Sequence, residues 1–236
     1  MGNGFSISNL QPKFTASKWL LLALVGTLIL YLVQCFSPLR MNTDSVMYLH
    51  LAQSASQGMG FTFEGNPTYY PTGYPALLSL LHDLNLATPF VFVFVNVTFL
   101  SVGLFIFYKL IRQKYCLSYF EANMMVMLTS LSVVVLKHTV LTITETMYFF
   151  VSMAVLFALN NARTSTLQHW IILFAAAGIT VGAIWVRTVG ISLIPALLLA
   201  STGLSGKINV HLYLRKKQAL PILCICIIST AAIVWA

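Results

Sequence analysis

Eighteen consecutive residues, Trp19 to Phe36, contain no Asp, Glu, Lys, Arg or His. As a helix rising about 1.5 Å per residue, such a run is long enough to cross the hydrocarbon of a bilayer. Comparable runs recur, and seven spans are drawn at approximately 19–37, 89–108, 120–136, 142–160, 169–186, 188–204 and 219–236. Of the 236 residues 58% are hydrophobic and 8% charged, against about 25% charged in a soluble domain. A surface so poor in charge does not hold a chain in water. The chain therefore reads as an all-α polytopic membrane protein, a single transmembrane domain over 1–236. In that class the net charge of +8 flanks membrane spans and implies no nucleic-acid partner.

Charge placement gives an orientation. With the N-terminus cytoplasmic, Lys13, Lys18, Lys109, Arg112, Lys114, Arg163, Lys207, Arg215, Lys216 and Lys217 fall inside, and only Arg40, Lys137 and Arg187 fall outside. This follows the positive-inside rule. Asp44, Glu64, Asp83 and Glu145 lie outside and Glu121 inside. A bacterial inner membrane fits better than the endoplasmic reticulum. Lys13 and Lys18 before an apolar run resemble a signal peptide, but no small-residue cleavage site follows. Leu32-Val-Gln-Cys35 is a faint lipoprotein site spoiled by Gln34, so the run is read as a retained anchor. Cys35, Cys116, Cys224 and Cys226 show no metal or disulfide spacing. Asn96-Val-Thr98 matches a glycosylation sequon but lies mid-span and is discarded.

Between the first two spans lies a long loop, 40–87, expected on the outer face. Loops of this length usually have a function. Asn42-Thr-Asp-Ser45 reads as a helix start. Tyr48, Leu51, Ala52 and Ala55 share one face, with His50, Gln53 and Gln57 largely elsewhere, which predicts a short interfacial helix ended by Gly58 and Gly60. A rigid aromatic turn follows, Tyr69-Tyr-Pro-Thr-Gly-Tyr-Pro75, and Pro75 suits the first position of a second helix running to about Asn85. The expected loop is helix, turn, helix.

Several outer residues have two readings. Asp44 is either the N-cap of the loop helix or a carboxylate at the membrane–water boundary acting as a general base. Glu145 completes a capping box in Thr142-Ile-Thr-Glu145, yet an ionisable group at a span is also a functional candidate. Arg187, between the fifth and sixth spans, either snorkels to head groups or binds a phosphate through its planar fork. Lys137 and His138 fall on the same side next to Glu145. Arg40 lies close enough in sequence to Asp44 to form an ion pair. Tyr69, Tyr70 and Tyr74 are either an interfacial belt or the lining of a sugar or lipid path.

Taken in order, Asn42-Thr-Asp-Ser-Val-Met-Tyr48, Tyr70-Pro-Thr-Gly-Tyr-Pro-Ala-Leu-Leu78, Thr144-Glu145 and Arg187-Thr-Val-Gly190 resemble the GT-C polytopic membrane glycosyltransferases. The resemblance is to protein O-mannosyltransferases and lipid A aminoarabinose transferases in particular, over roughly the first 200 residues. It implies a polyprenyl-phosphate sugar donor, an acceptor that is a glycan, lipid or protein, and an active site on the extracytoplasmic face. It implies Asp44 as catalytic carboxylate, Glu145 as an outer-cavity acid and Arg187 as a phosphate contact. Lys137, His138, Arg40, Tyr48, Tyr70 and Tyr74 would line the substrate site. No cofactor is required, and a divalent metal stays an open option. Many relatives carry an Asp-Glu pair where Asp44 is followed by Ser45. They also continue into further spans or an outer domain, so this chain reads as the N-terminal transmembrane module. The expected function is inverting sugar transfer. The competing readings are a truncated, non-catalytic relative that binds lipid carrier or partner membrane proteins, and a small transporter.

Overall fold

The longest helix, Pro89–Tyr115, packs most extensively against Glu145–Asn161, which in turn packs against Thr166–Val186. The computed structural model describes residues 15–36, 38–115, 117–161 and 166–201. Among these residues the chain is all-α apart from one two-stranded hairpin. The helices are α1 (Thr15–Gln34), α2 (Thr43–Ser56), α3 (Gly73–Asp83), α4 (Pro89–Tyr115), α5 (Tyr119–Ser130), α6 (Val133–Thr139), α7 (Glu145–Asn161), α8 (Thr166–Val186) and α9 (Ile194–Ser201). A 3-10 turn, Thr188–Leu193, joins the last two.

Three apolar clusters divide the core. Tyr31 and Cys35 of α1 meet Val93, Val97, Leu100 and Leu104 of α4. Tyr48 and Ala52 of α2 meet Tyr74, Leu78 and Leu81 of α3 and Phe92 of α4. Val151 and Val155 of α7 meet Ala183 and Leu193. The second cluster uses the α2 face expected from sequence: Tyr48, Leu51 and Ala52 are buried, and His50 and Gln53 are exposed. That face is covered by α3.

The seven-span expectation meets a different arrangement. Among the described residues one helix, Pro89–Lys114, is long and apolar enough to cross a membrane, or two if α5 and α6 form one span bent by 59°. The expected span 120–136 breaks at Leu131-Ser132, where α5 ends and Ser132 opens α6. The expected span 188–204 starts as the 3-10 turn. α1 and α8 have 20 and 21 residues, with shorter apolar stretches at Val25–Gln34 and Ile171–Val186. The span expected at 219–236 lies outside the described residues.

The 40–87 loop holds an element not expected from sequence. Thr62–Phe63 pairs antiparallel with Asn66–Pro67. The connecting residues Glu64 (φ 51) and Gly65 (φ 81) are both left-handed, as a two-residue hairpin turn with strand-matching twist requires. Pro75 is the third residue of α3, not the first; the whole first turn tolerates proline, because its N–H groups have no partner within the helix.

Candidate active site

Asn42, not Asp44, caps α2. Its side-chain oxygen accepts from the Ser45 N–H at 2.8 Å and from the Ser45 hydroxyl at 2.7 Å. Asp44 is the second helical residue, exposed, with no hydrogen bond or ion pair among the described residues. Only the favourable end of the helix dipole favours a carboxylate there. Arg40 does not pair with it. The Arg40 backbone N–H donates to the Val140 carbonyl at 3.1 Å, which ties the chain after α1 beside the segment leading into α7.

One turn beyond Asp44, on the same side of α2, Tyr48 is buried. Its ring lies edge-on to Tyr70 at 5.8 Å and to Tyr74 at 5.9 Å. Burial pushes the Tyr48 hydroxyl above its usual range. A hydrogen bond with Thr144 opposes that shift, the carboxylates of Asp44 and Glu145 add to it, and Arg187 opposes it. Charged residues from α2, α7 and the end of α8 thus all act on Tyr48. Tyr70 is pushed upward by desolvation first and by Asp44 second; its ring stacks on the exposed Tyr69 at 5.1 Å.

Glu145 and Arg187 form an ion pair, Nη1 to Oε1, at 2.8 Å. The capping box expected at Thr142–Glu145 is not made. α7 begins at Glu145 itself, so the residue is not at the third helical position. The Thr142 hydroxyl is buried without a hydrogen-bond partner. The second carboxylate oxygen of Glu145, Oε2, is likewise buried and unpartnered. The acid thus holds the guanidinium, and both side chains keep about a third of their surface open (37% for Arg187, 31% for Glu145).

The turn that presents Arg187 is built by close backbone approach. Arg187 leaves α8 in extended conformation (φ −157), and the Gly190 N–H donates back to the Arg187 carbonyl at 2.8 Å. A Cβ on Gly190 would stand 2.5 Å from the Ala183 carbonyl carbon, so only glycine lets this turn lie on α8. On the other side, a Cβ on Gly73 would stand 2.9 Å from Trp185 backbone atoms. The Trp185 indole N–H donates to the Thr72 hydroxyl at 2.6 Å. The Pro-Thr-Gly-Tyr-Pro turn therefore seats against the last residues of α8, just before Arg187.

Beneath the site, Asn96 of α4 is fully buried and has all its amide atoms engaged. Its Nδ2 donates to the Leu141 carbonyl at 2.6 Å and the Thr139 carbonyl at 3.3 Å. Its Oδ1 accepts from Tyr74 at 3.2 Å and Thr146 at 3.1 Å. One side chain so fixes α3, α6 and the start of α7 to α4. Tyr74 is therefore a core residue with no exposed surface to offer a sugar or lipid path. Lys137 and His138 lie on the last turn of α6. Neither forms an ion pair with Glu145. Among the described residues no three His, Cys, Asp or Glu side chains group as a metal site.

Asp44, Tyr48, Tyr70, Glu145 and Arg187 thus share one end of the fold, Arg40 joins through its backbone, and Lys137 and His138 make no ion pair with Glu145 among the described residues. From sequence Asn96 stands out only as a mid-span sequon and is given no structural role, and Thr146 is passed over; the available signal is a lone amide within the apolar run of α4. No family model matches the chain, and no curated protein or solved structure resembles it significantly.

Proposed function

We propose that this chain is a membrane glycosyltransferase of the GT-C type, moving a sugar from a polyprenyl-phosphate donor to an acceptor hydroxyl on the extracytoplasmic face. In this reading α4 is a central membrane span and α5–α6 a bent one. The large apolar side chains that α4 leaves exposed support a lipid setting: Phe90, Phe94, Val102 and Phe105 are each 41–59% exposed.

The observation that carries the catalytic reading is the freedom of Asp44. Asn42 does the capping, and among the described residues Asp44 has no hydrogen bond or ion pair, one helical turn from Tyr48, whose hydroxyl also feels Glu145 and Arg187. Asp44 takes the proton of the acceptor hydroxyl. The acceptor oxygen attacks the anomeric carbon from the face opposite the phosphate, the bond from that carbon to the phosphate oxygen breaks, and the polyprenyl phosphate leaves with configuration inverted. Arg187, held by Glu145 through one nitrogen, has further N–H groups for the negative charge that builds on the phosphate. The reaction needs no redox step and balances without a further reactant.

The test is binding of a defined polyprenyl-phosphate sugar to the purified chain. Arg187→Ala weakens it, and Arg187→Lys restores it only in part, because the planar fork is lost. Unchanged binding by Arg187→Ala would return this residue to membrane anchoring.

A further inference from the structure

A second feature lies at the other end of α4. Arg112 is sixteen residues beyond Asn96, about 24 Å along the helix axis, so it is remote from the Asp44–Arg187 site. Here α1, α4 and α5 enclose an open cleft of about 320 Å³. Leu28 and Tyr31 of α1, Leu104, Phe105 and Tyr108 of α4 and Val126 of α5 line it. The Tyr31 hydroxyl donates to the Ser130 carbonyl and fixes α1 to α5 at the cleft wall.

The lining stripe on α4 does not end in apolar residues. One turn past Phe105, the Lys109 ammonium lies 5.2 Å over the Phe105 ring. One turn past Tyr108, Arg112 comes against the Tyr108 hydroxyl and stacks its guanidinium 3.5 Å from the centre of the Tyr119 ring of α5. Arg112 Nε has no hydrogen-bond acceptor. Lys114 adds a third cation in the same last turn. The acid nearest in sequence, Glu121, is committed: its Oε2 accepts from the Ser118 N–H at 2.8 Å and the Ser118 hydroxyl at 2.7 Å. An apolar cleft with Lys109 and Arg112 one helical turn beyond its lining residues Phe105 and Tyr108, and with no carboxylate among the described residues paired to either, matches a molecule with an apolar tail and an anionic head.

We propose that the α1–α4–α5 cleft binds an anionic membrane phospholipid, with an acyl chain against Leu104, Phe105 and Val126 and the phosphate against Lys109 and Arg112. The proposal rests on the membrane placement of α4 but not on sugar transfer. The phosphate meets the Lys109 ammonium and the terminal N–H groups of the Arg112 guanidinium. The same contacts join α4 to α5 through Tyr119, so bound lipid braces the short connection between them.

The experiment is native mass spectrometry of the full chain, delipidated in detergent and titrated with phosphatidylglycerol, phosphatidylcholine or inorganic phosphate. Phosphatidylglycerol binds more tightly than phosphatidylcholine. Lys109→Gln with Arg112→Gln together reduce phosphatidylglycerol binding by about 10–30-fold and leave phosphatidylcholine unchanged, as expected for two cations near an anionic head group. Lys109→Gln alone, which among the described residues gives up a contact with the Phe105 ring, leads to a partial loss in a chain that folds normally. Equal binding of the two lipids, or full phosphatidylglycerol binding by the double variant, overturns the proposal. So does competition by inorganic phosphate at equal concentration, since that would mean the cleft contributes nothing.

Discussion

Replacing Asn96 by Leu keeps the branching of the side chain, with a larger volume, but removes an amide that ties three elements to α4. Four hydrogen bonds are lost together, to the Leu141 and Thr139 carbonyls and from the Tyr74 and Thr146 hydroxyls. Tyr74 and Thr139 have no exposed surface, and Thr146 retains only 3%, so water cannot take over these bonds. A buried hydrogen bond contributes about 0.6 kcal/mol on average in membrane proteins and up to about 1.5 in water. Four bonds give roughly 2–6 kcal/mol, less what the added apolar burial returns. Asn96→Leu therefore lowers the thermal midpoint in detergent by several degrees or abolishes folding. A double-mutant cycle with Tyr74→Phe separates the pair: Tyr74→Phe costs about 1 kcal/mol in the native background and close to nothing once Asn96 is gone. Fully additive losses, or an unchanged midpoint for Asn96→Leu, would refute the hub.

Three further outcomes follow from the geometry. Gly73→Ala drives a Cβ into the Trp185 backbone and destabilises by about 1–3 kcal/mol, read as a lower midpoint together with weaker donor binding through displacement of Arg187. Glu145→Gln keeps the shape of the side chain but loses the charge that holds Arg187; donor affinity falls while the helix content by circular dichroism stays unchanged. In a cysteine-free background, Glu64→Cys at the hairpin tip reacts with an impermeant thiol reagent on intact cells and Lys114→Cys does not; the reverse pattern contradicts the proposed orientation.

Much of the 40–87 loop was legible because local chemistry decides it. Asn42 is a good cap, and Tyr48, Leu51 and Ala52 recur at helical spacing. Sequence could not choose between Asn42 and Asp44 as the cap, since both side chains can serve; the hydrogen bond to Ser45 decides it. The hairpin was hidden because its strands are two residues each and its turn puts Glu64, an unusual residue for a left-handed position, before Gly65. The α5–α6 break was hidden because hydropathy runs through Leu131-Ser132 without a proline or glycine. At Glu145 a capping pattern was present, but a partner distant in sequence, Arg187, took the carboxylate. Expected contacts of Lys137 and His138 rested on sequence proximity to Glu145, and the end of α6 orients by other bonds, Thr139 to Gln34 at 2.7 Å among them.

The proposed chemistry turns on Asp44, and replacement by Asn tests it with little structural disturbance. The substitution keeps the side-chain size, breaks no hydrogen bond and leaves the Asn42 cap in place, so expression, membrane insertion and donor binding persist. Asn cannot accept the acceptor's proton, and loss of a general base lowers turnover by about 10²–10⁴. The measurement is sugar transfer from a defined polyprenyl-phosphate donor by purified wild-type and Asp44→Asn protein, side by side. Transfer by the wild type with a loss of that size in Asp44→Asn is the predicted result. Equal transfer by both proteins would contradict it.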